Sequence, residues 1–88
     1  MVPQMIFDVP GGRIDLSNLP WGCVHLILCS LRNPRCTPDL VLLLADGMAE
    51  IREQMDRDSI CLRACARTES ALRALAPHFS GAAHATAP

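Results

Sequence analysis

The stretch that decides the fold covers residues 37–57 and reads TPDLVLLLADGMAEIREQMDR. Thr37 is suited to cap the first free amides of a helix, Pro38 fits the first helical position, and Asp39 complements the positive helix end. The sequence therefore predicts that a helix begins at Thr37-Pro38-Asp39.

This helix is amphipathic along most of its length. Its apolar positions step by four, three and four residues, which is the spacing of one helix face. These positions are Leu44, Met48, Ile51 and Met55. A chain this short often completes its core by self-association, so we expect these four residues to form the interface of a homodimer.

Three carboxylates lie on the polar face of the same helix, and we call them the acidic ridge: Asp46, Glu50 and Glu53. Residues 37–58 carry a net charge of −4, against +1 for residues 1–36 and +2 for residues 59–88. Such a ridge is commonly only a solvated helix face, but it also attracts a basic surface and speeds association with it. The acidic ridge is the predicted binding site for a partner protein with a basic surface.

Two short β-compatible runs precede this helix, Met5 to Val9 and Arg13 to Leu16. Pro10-Gly11-Gly12 between them favours a tight turn, because proline fixes φ and glycine accepts positive φ. Residues 4–16 are therefore predicted to form a hairpin. The apolar run at 23–31 fits a buried strand by its length and a helix by its leucine content, and periodicity does not separate the two.

A second amphipathic helix is predicted after Asp58-Ser59, where the first apolar stripe is interrupted. Pro77 should end this helix, because proline cannot continue one. Residues 80–88 contain no large apolar residue and are predicted to be a flexible Ala-rich tail. The second stripe consists of Cys61, Cys65, Thr68, Leu72, Leu75 and Phe79.

Together these elements predict an α+β fold that is mostly helical. The N-terminal β-hairpin and the short buried segment pack on the two C-terminal helices, and residues 1–79 form one small domain. Residues 40–44 and 23–31 carry more apolar surface than such a core can bury, so we expect a second chain to cover the surplus. The N-terminus has neither a basic region nor a long apolar run, so we expect a cytoplasmic protein that does not enter a membrane.

The chain has five cysteines, an odd number without a secretory signal, which favours reduced thiols packed as small apolar residues. Cys61 and Cys65 lie one helical turn apart and His25 adds a further soft ligand, so a small Cys/His metal-binding protein is an alternative. The spacing differs from that of paired zinc ligands on tight knuckles. We therefore expect no metal and no other cofactor.

No catalytic motif is present, which favours a non-enzymatic protein. The leading hypothesis is a protein–protein interaction module that occludes a partner's surface. Small regulators and inhibitors encoded by phages and mobile elements, of the anti-CRISPR or anti-restriction type, act in this way.

Residues 59–79 can also be read as a helix-turn-helix with its turn at Arg67-Thr68, as in DNA-binding transcriptional regulators. Arg63, Arg67 and Arg73 would then contact nucleic acid. A mildly basic patch within a nearly neutral chain is a weak electrostatic footprint for DNA. Nucleic acid is therefore the less favoured partner.

Overall fold

The computed structural model describes residues 5–57 and 59–79. A hairpin is followed by three helices, and a 3-10 turn at Ala76–His78 follows the last of them. The predicted fold, α+β and mostly helical, is confirmed. The elements are β1 (Ile6–Val9), β2 (Gly12–Asp15), α1 (Trp21–Leu31), α2 (Pro38–Glu53) and α3 (Ile60–Leu75).

The predicted hairpin forms between β1 and β2, which pair antiparallel with Phe7 opposite Ile14. Gly11 in the turn has φ of +91°, a conformation that residues with side chains rarely adopt. A Cβ atom at Gly11 would also lie 2.6 Å from ring atoms of His78. The turn therefore packs closely against the C-terminal end of the described chain, and glycine is required there for two separate reasons.

The apolar run at 23–31, for which the sequence did not decide between strand and helix, forms part of the helix α1. Its buried residues are Val24, Ile27 and Leu31, which share one face. The opposite face is exposed, and Leu26 retains 56% of its accessible surface. The surplus apolar surface predicted for this run is therefore present in the single chain.

The helix α2 begins as predicted, because the Thr37 hydroxyl accepts a hydrogen bond from the Leu40 amide at 3.2 Å. It ends at Glu53, so Met55 lies beyond the helix, where it is half-buried against the core. Leu43 is 65% exposed, as the surplus predicted for residues 40–44 requires.

The helix α3 begins at Ser59, whose hydroxyl accepts a hydrogen bond from the Cys61 amide at 3.1 Å. It continues without interruption to Leu75. The predicted turn at Arg67-Thr68 is wrong, because Thr68 is fully buried in the middle of this helix and its apolar stripe faces one core. The new helix start predicted at Asp58-Ser59 is confirmed, because Ser59 is the N-cap of α3. Asp58 itself and the predicted tail at 80–88 lie outside the described residues.

The core lies where α2 and α3 pack together, with α1 and the hairpin closing it. Ile14 and Leu16 bring the end of the hairpin into this core. Of the helices in residues 5–57 and 59–79, none has the length and apolarity needed to cross a membrane.

Candidate functional site

The most distinctive surface feature is an apolar groove of about 570 Å³ between α1 and α2, which we call the α1–α2 groove. Both walls are helices, and Pro20 also lines the groove. Among the lining side chains, those of Cys23, Ser30 and Met48 contain an atom other than carbon and hydrogen, and Ser30 supplies the hydroxyl. The lining residues are Pro20, Gly22, Cys23, Leu26, Ser30, Leu40, Leu43, Leu44, Gly47, Met48 and Ile51.

The α1 wall contains no Asp, Glu, Lys or Arg, since the helix reads WGCVHLILCSL. It also lacks the usual end stabilisation, because no side chain caps its N-terminus, no acidic residue lies in its first turn and no basic residue lies in its last. Burial of its apolar face is therefore what holds α1 in place. Trp21 at its start is 71% exposed and extends the apolar surface beyond the groove.

The α2 wall presents Leu40, Leu43, Gly47 and Ile51, which are three or four residues apart and so line one side of the helix. Gly47 lies in the interior of α2, where glycine is less favourable than alanine. A Cβ atom built at Gly47 would meet no other atom within 4 Å. The groove is therefore open above the backbone of Gly47.

The acidic ridge lies on the exposed side of α2. Asp46 is partly neutralised, because its Oδ1 accepts a hydrogen bond from Arg73 Nη2 at 3.0 Å. Glu50 and Glu53 are exposed and form no ion pair with any residue in the described part of the chain. The negative charge available to a partner is therefore carried mainly by these two glutamates.

Two of the three arginines that were predicted to contact nucleic acid, Arg67 and Arg73, are bound by groups of their own chain. Arg67 Nη2 donates to the Ser17 carbonyl at 2.6 Å and lies 3.8 Å from Asp15 Oδ1. Arg73 binds Asp46 and also Glu69, whose carboxylate is 3.0 Å away, and these hydrogen bonds raise the pKa of Arg73. Both side chains tie α3 to other elements of the same chain.

Arg63 is exposed and takes part in no hydrogen bond or ion pair within residues 5–57 and 59–79. Of the three arginines, Arg63 is therefore the one whose guanidinium is available to a partner. A single basic side chain is a small electrostatic footprint for nucleic acid.

The residues predicted for a dimer interface do not share one surface. Leu44 and Met48 are buried in the chain's own core, although each contributes to the floor of the groove. Ile51 is half-buried in the groove and Met55 lies past the end of α2. The exposed large apolar residues that line the groove are instead Leu26 and Leu43, and the others are Ile6, Trp21, Leu42 and Ile60.

The sequence contains a signal for this exposed apolar surface besides the spacing of the apolar residues. Residues 40–44 are five consecutive apolar residues on a helix, and one core covers only one side of a helix. Some of them must therefore face outward. The partner of Leu43 across the groove, Leu26, could be recognised only once α1 was known to be a helix.

All five cysteines are free. Cys36 and Cys65 are buried as predicted for structural thiols, whereas Cys29 is exposed and contradicts that prediction. Burial raises the pKa of Cys23, Cys36 and Cys65, so these thiols remain protonated at neutral pH.

Cys29 Sγ lies 3.7 Å from His25 Nε2 on the exposed side of α1, so His25 is a surface residue. Among residues 5–57 and 59–79, no three His, Cys, Asp or Glu side chains are grouped in a way that could hold a metal ion.

Comparison with known proteins gives no relative. No protein-family model, curated protein or solved structure matches the chain. The α1–α2 groove and the acidic ridge are therefore the features of this chain that bear on its function.

Proposed function

We propose that this chain is a non-enzymatic protein–protein interaction module, a small regulator or inhibitor that binds a partner protein through α2. The α1–α2 groove supplies the apolar contact and the acidic ridge attracts a basic surface of the partner. In this proposal the chain acts by covering the partner's surface, as small inhibitors encoded by phages and mobile elements do.

The observation that carries the proposal is the exposure of Leu26 and Leu43 on opposite walls of one groove. Single exposed leucines are ordinary, but a continuous apolar groove rimmed by charged residues is typical of a binding site. The exposed Glu50 and Glu53 lie on the same helix as Leu43. Apolar burial at the centre with charges at the rim is the usual arrangement of a protein interface.

The test is capture of partner proteins from the native host, with variants that separate the groove from the rest of the surface. Leu43→Asp places a charge in the groove and should abolish capture of the specific partner. Ser70→Asp is the matched control, because Ser70 is exposed on α3 and the same charge is introduced there. Both variants should keep a thermal midpoint close to that of the native chain, as exposed substitutions do.

A protein captured by the native chain and by Ser70→Asp, but lost with Leu43→Asp, supports the proposal. Equal capture by all three chains contradicts it. For the nucleic-acid alternative, Arg63→Glu is the informative variant, because Arg63 is exposed and its loss would break no hydrogen bond or ion pair with the described residues. Loss of capture with Arg63→Glu but not with Leu43→Asp would favour nucleic acid as the partner.

The homodimer predicted at Leu44, Met48, Ile51 and Met55 remains a prediction, and the α1–α2 groove, which the first three of these residues line, is where a second copy would compete with the partner. Light scattering at micromolar concentrations measures the mass in solution directly. A dimer that Leu43→Asp converts to a monomer would mean that a second copy covers the groove. A monomer for the native chain would contradict the homodimer and leave the groove to another protein.

A further inference from the structure

We infer that the α1–α2 groove takes a short amphipathic helix of a partner protein, with basic side chains on one flank. This inference rests on the proposed function, since it specifies what the proposed binding surface recognises. It follows from the backbone of the groove walls, from the open space at Gly47 and from the distribution of charge around the groove.

The backbone of the walls decides the conformation of the occupant. Both walls are helices, whose amides and carbonyls bond within the helix, so they offer no free edge to an added strand. A segment that enters an apolar groove must satisfy its own backbone hydrogen bonds, and a helix does so internally. The α2 wall from Leu40 to Ile51 spans about 17 Å at 1.5 Å per residue, which accommodates about three turns of a docked helix.

Gly47 explains how such a helix approaches closely. It lies in the interior of α2, opposite the α1 wall, and nothing occupies the position of its missing side chain. Gly22 on α1 is equally open. The two glycines thus lower both walls of the groove, and no atom of residues 5–57 and 59–79 fills that space. An apolar side chain of a docked helix fits above Gly47.

The charged residues beside the groove indicate which side of the docked helix is basic. Glu50 follows Gly47 by one turn and Asp39 precedes Leu43 by one turn, so exposed carboxylates border the α2 side of the groove. The α1 side has no Asp, Glu, Lys or Arg. A docked helix therefore gains from Arg or Lys on the flank that faces α2, and an acidic residue there is repelled.

The same charges disfavour a second copy of this chain as the occupant. Of the two helices that expose leucines, α1 contains no Arg or Lys, and Arg52, the basic residue of α2, is engaged by Glu69. A second copy that docks through either of these helices therefore brings no free basic side chain of that helix to the acidic flank of the groove. A different protein with a basic amphipathic helix matches the groove better.

The experiment is selection of displayed helical peptides of about 14 residues, long enough to cover the groove, on the full chain. The expected peptides carry large apolar residues at i, i+3 or i+4, and i+7, with Arg or Lys on one flank. Their affinity is then measured on Gly47→Leu, which fills the groove, and on Ser70→Leu, which adds the same side chain to exposed α3. We expect binding to fall at least about tenfold with Gly47→Leu and to stay within about threefold with Ser70→Leu.

Thermal melting of both variants confirms that they are folded before binding is compared. If no helical peptide is enriched, if the enriched peptides are acidic or extended, or if Gly47→Leu binds them unchanged, the inference is wrong. Should the host partner nevertheless be lost with Leu43→Asp, the proposed function survives and only the helical occupant is rejected. Failure of both experiments rejects the function as well.

Discussion

Thr68 provides a sharp test of the packing of the core. It is fully buried in the middle of α3, and its Oγ1 has no hydrogen-bond partner in the described chain. A buried hydroxyl without a partner costs about 1–3 kcal/mol of stability. Thr68→Val replaces this hydroxyl with a methyl group of similar size, and valine and threonine have similar helix propensities. We therefore expect the free energy of unfolding to rise by about 1–2 kcal/mol.

Urea unfolding at equilibrium measures this change, and the slope against denaturant should stay constant. In thermal melting, 1 kcal/mol corresponds to a shift of about 4–8 °C for a domain of this size. Thr68→Ser is the control, because it keeps the hydroxyl and loses only the methyl group, and it should be less stable than the native chain. If Thr68→Val is instead less stable than the native chain, the hydroxyl has a partner, and the carbonyl of Ala64, four residues earlier, is the acceptor that helix geometry offers.

Further predictions concern the hairpin, acid stability and the acidic ridge. Gly11→Ala should destabilise the chain by about 1–3 kcal/mol in urea unfolding, because positive φ is strained for alanine and its Cβ would meet the His78 ring. An unchanged free energy of unfolding would mean that Gly11 does not adopt this conformation beside His78. Hydrogen bonds from the side chain and then the backbone of Ser17 lower the pKa of Asp15 from its ordinary value of 3.8. Ionised Asp15 therefore stabilises the fold fully above that ordinary pKa, and this stabilisation is lost as the pH falls through the lower pKa of the folded state. Asp15→Asn should therefore flatten the dependence of stability on pH below about 4, and an unchanged acid-unfolding curve would contradict this. Glu50→Arg should slow partner association and weaken its dependence on salt in stopped-flow measurements, while identical rates would show that the ridge is only a solvated face.

Local signals in the sequence were sufficient wherever neighbouring residues determine the backbone. The cap at Thr37, the proline that follows it and the cap at Ser59 act within one helical turn, so the starts of α2 and α3 were predictable. The hairpin was predictable for the same reason, since Pro10-Gly11 selects its own turn.

Signals that depend on tertiary contact were not sufficient. The sequence left α1 open because an apolar run of that length suits either structure until its neighbours are known. The helix-turn-helix prediction failed because Thr68 is as compatible with a cap as with a buried helical position, and only the packing of α3 decides between them.

The candidate site was predictable only in part. The acidic ridge was found from spacing, but its pairing with Arg73 joins two helices that are distant in sequence. The α1–α2 groove requires both helices and their relative position, so Leu26 and Gly47 could not be assigned to it from the sequence. What was predictable was the apolar surplus at residues 40–44, which the structure places partly on the surface.

The central claim is that a partner protein is bound at the α1–α2 groove, and site-specific photocrosslinking in the native host tests it most directly. A photoreactive residue is placed at Leu43 in one chain and at Ser70 in another, and the crosslinked products are identified by mass spectrometry. We predict that one specific partner is crosslinked from position 43 and that the same partner is not crosslinked from position 70. Crosslinks to the same proteins from both positions, or none from position 43 while position 70 captures a specific partner, would contradict it.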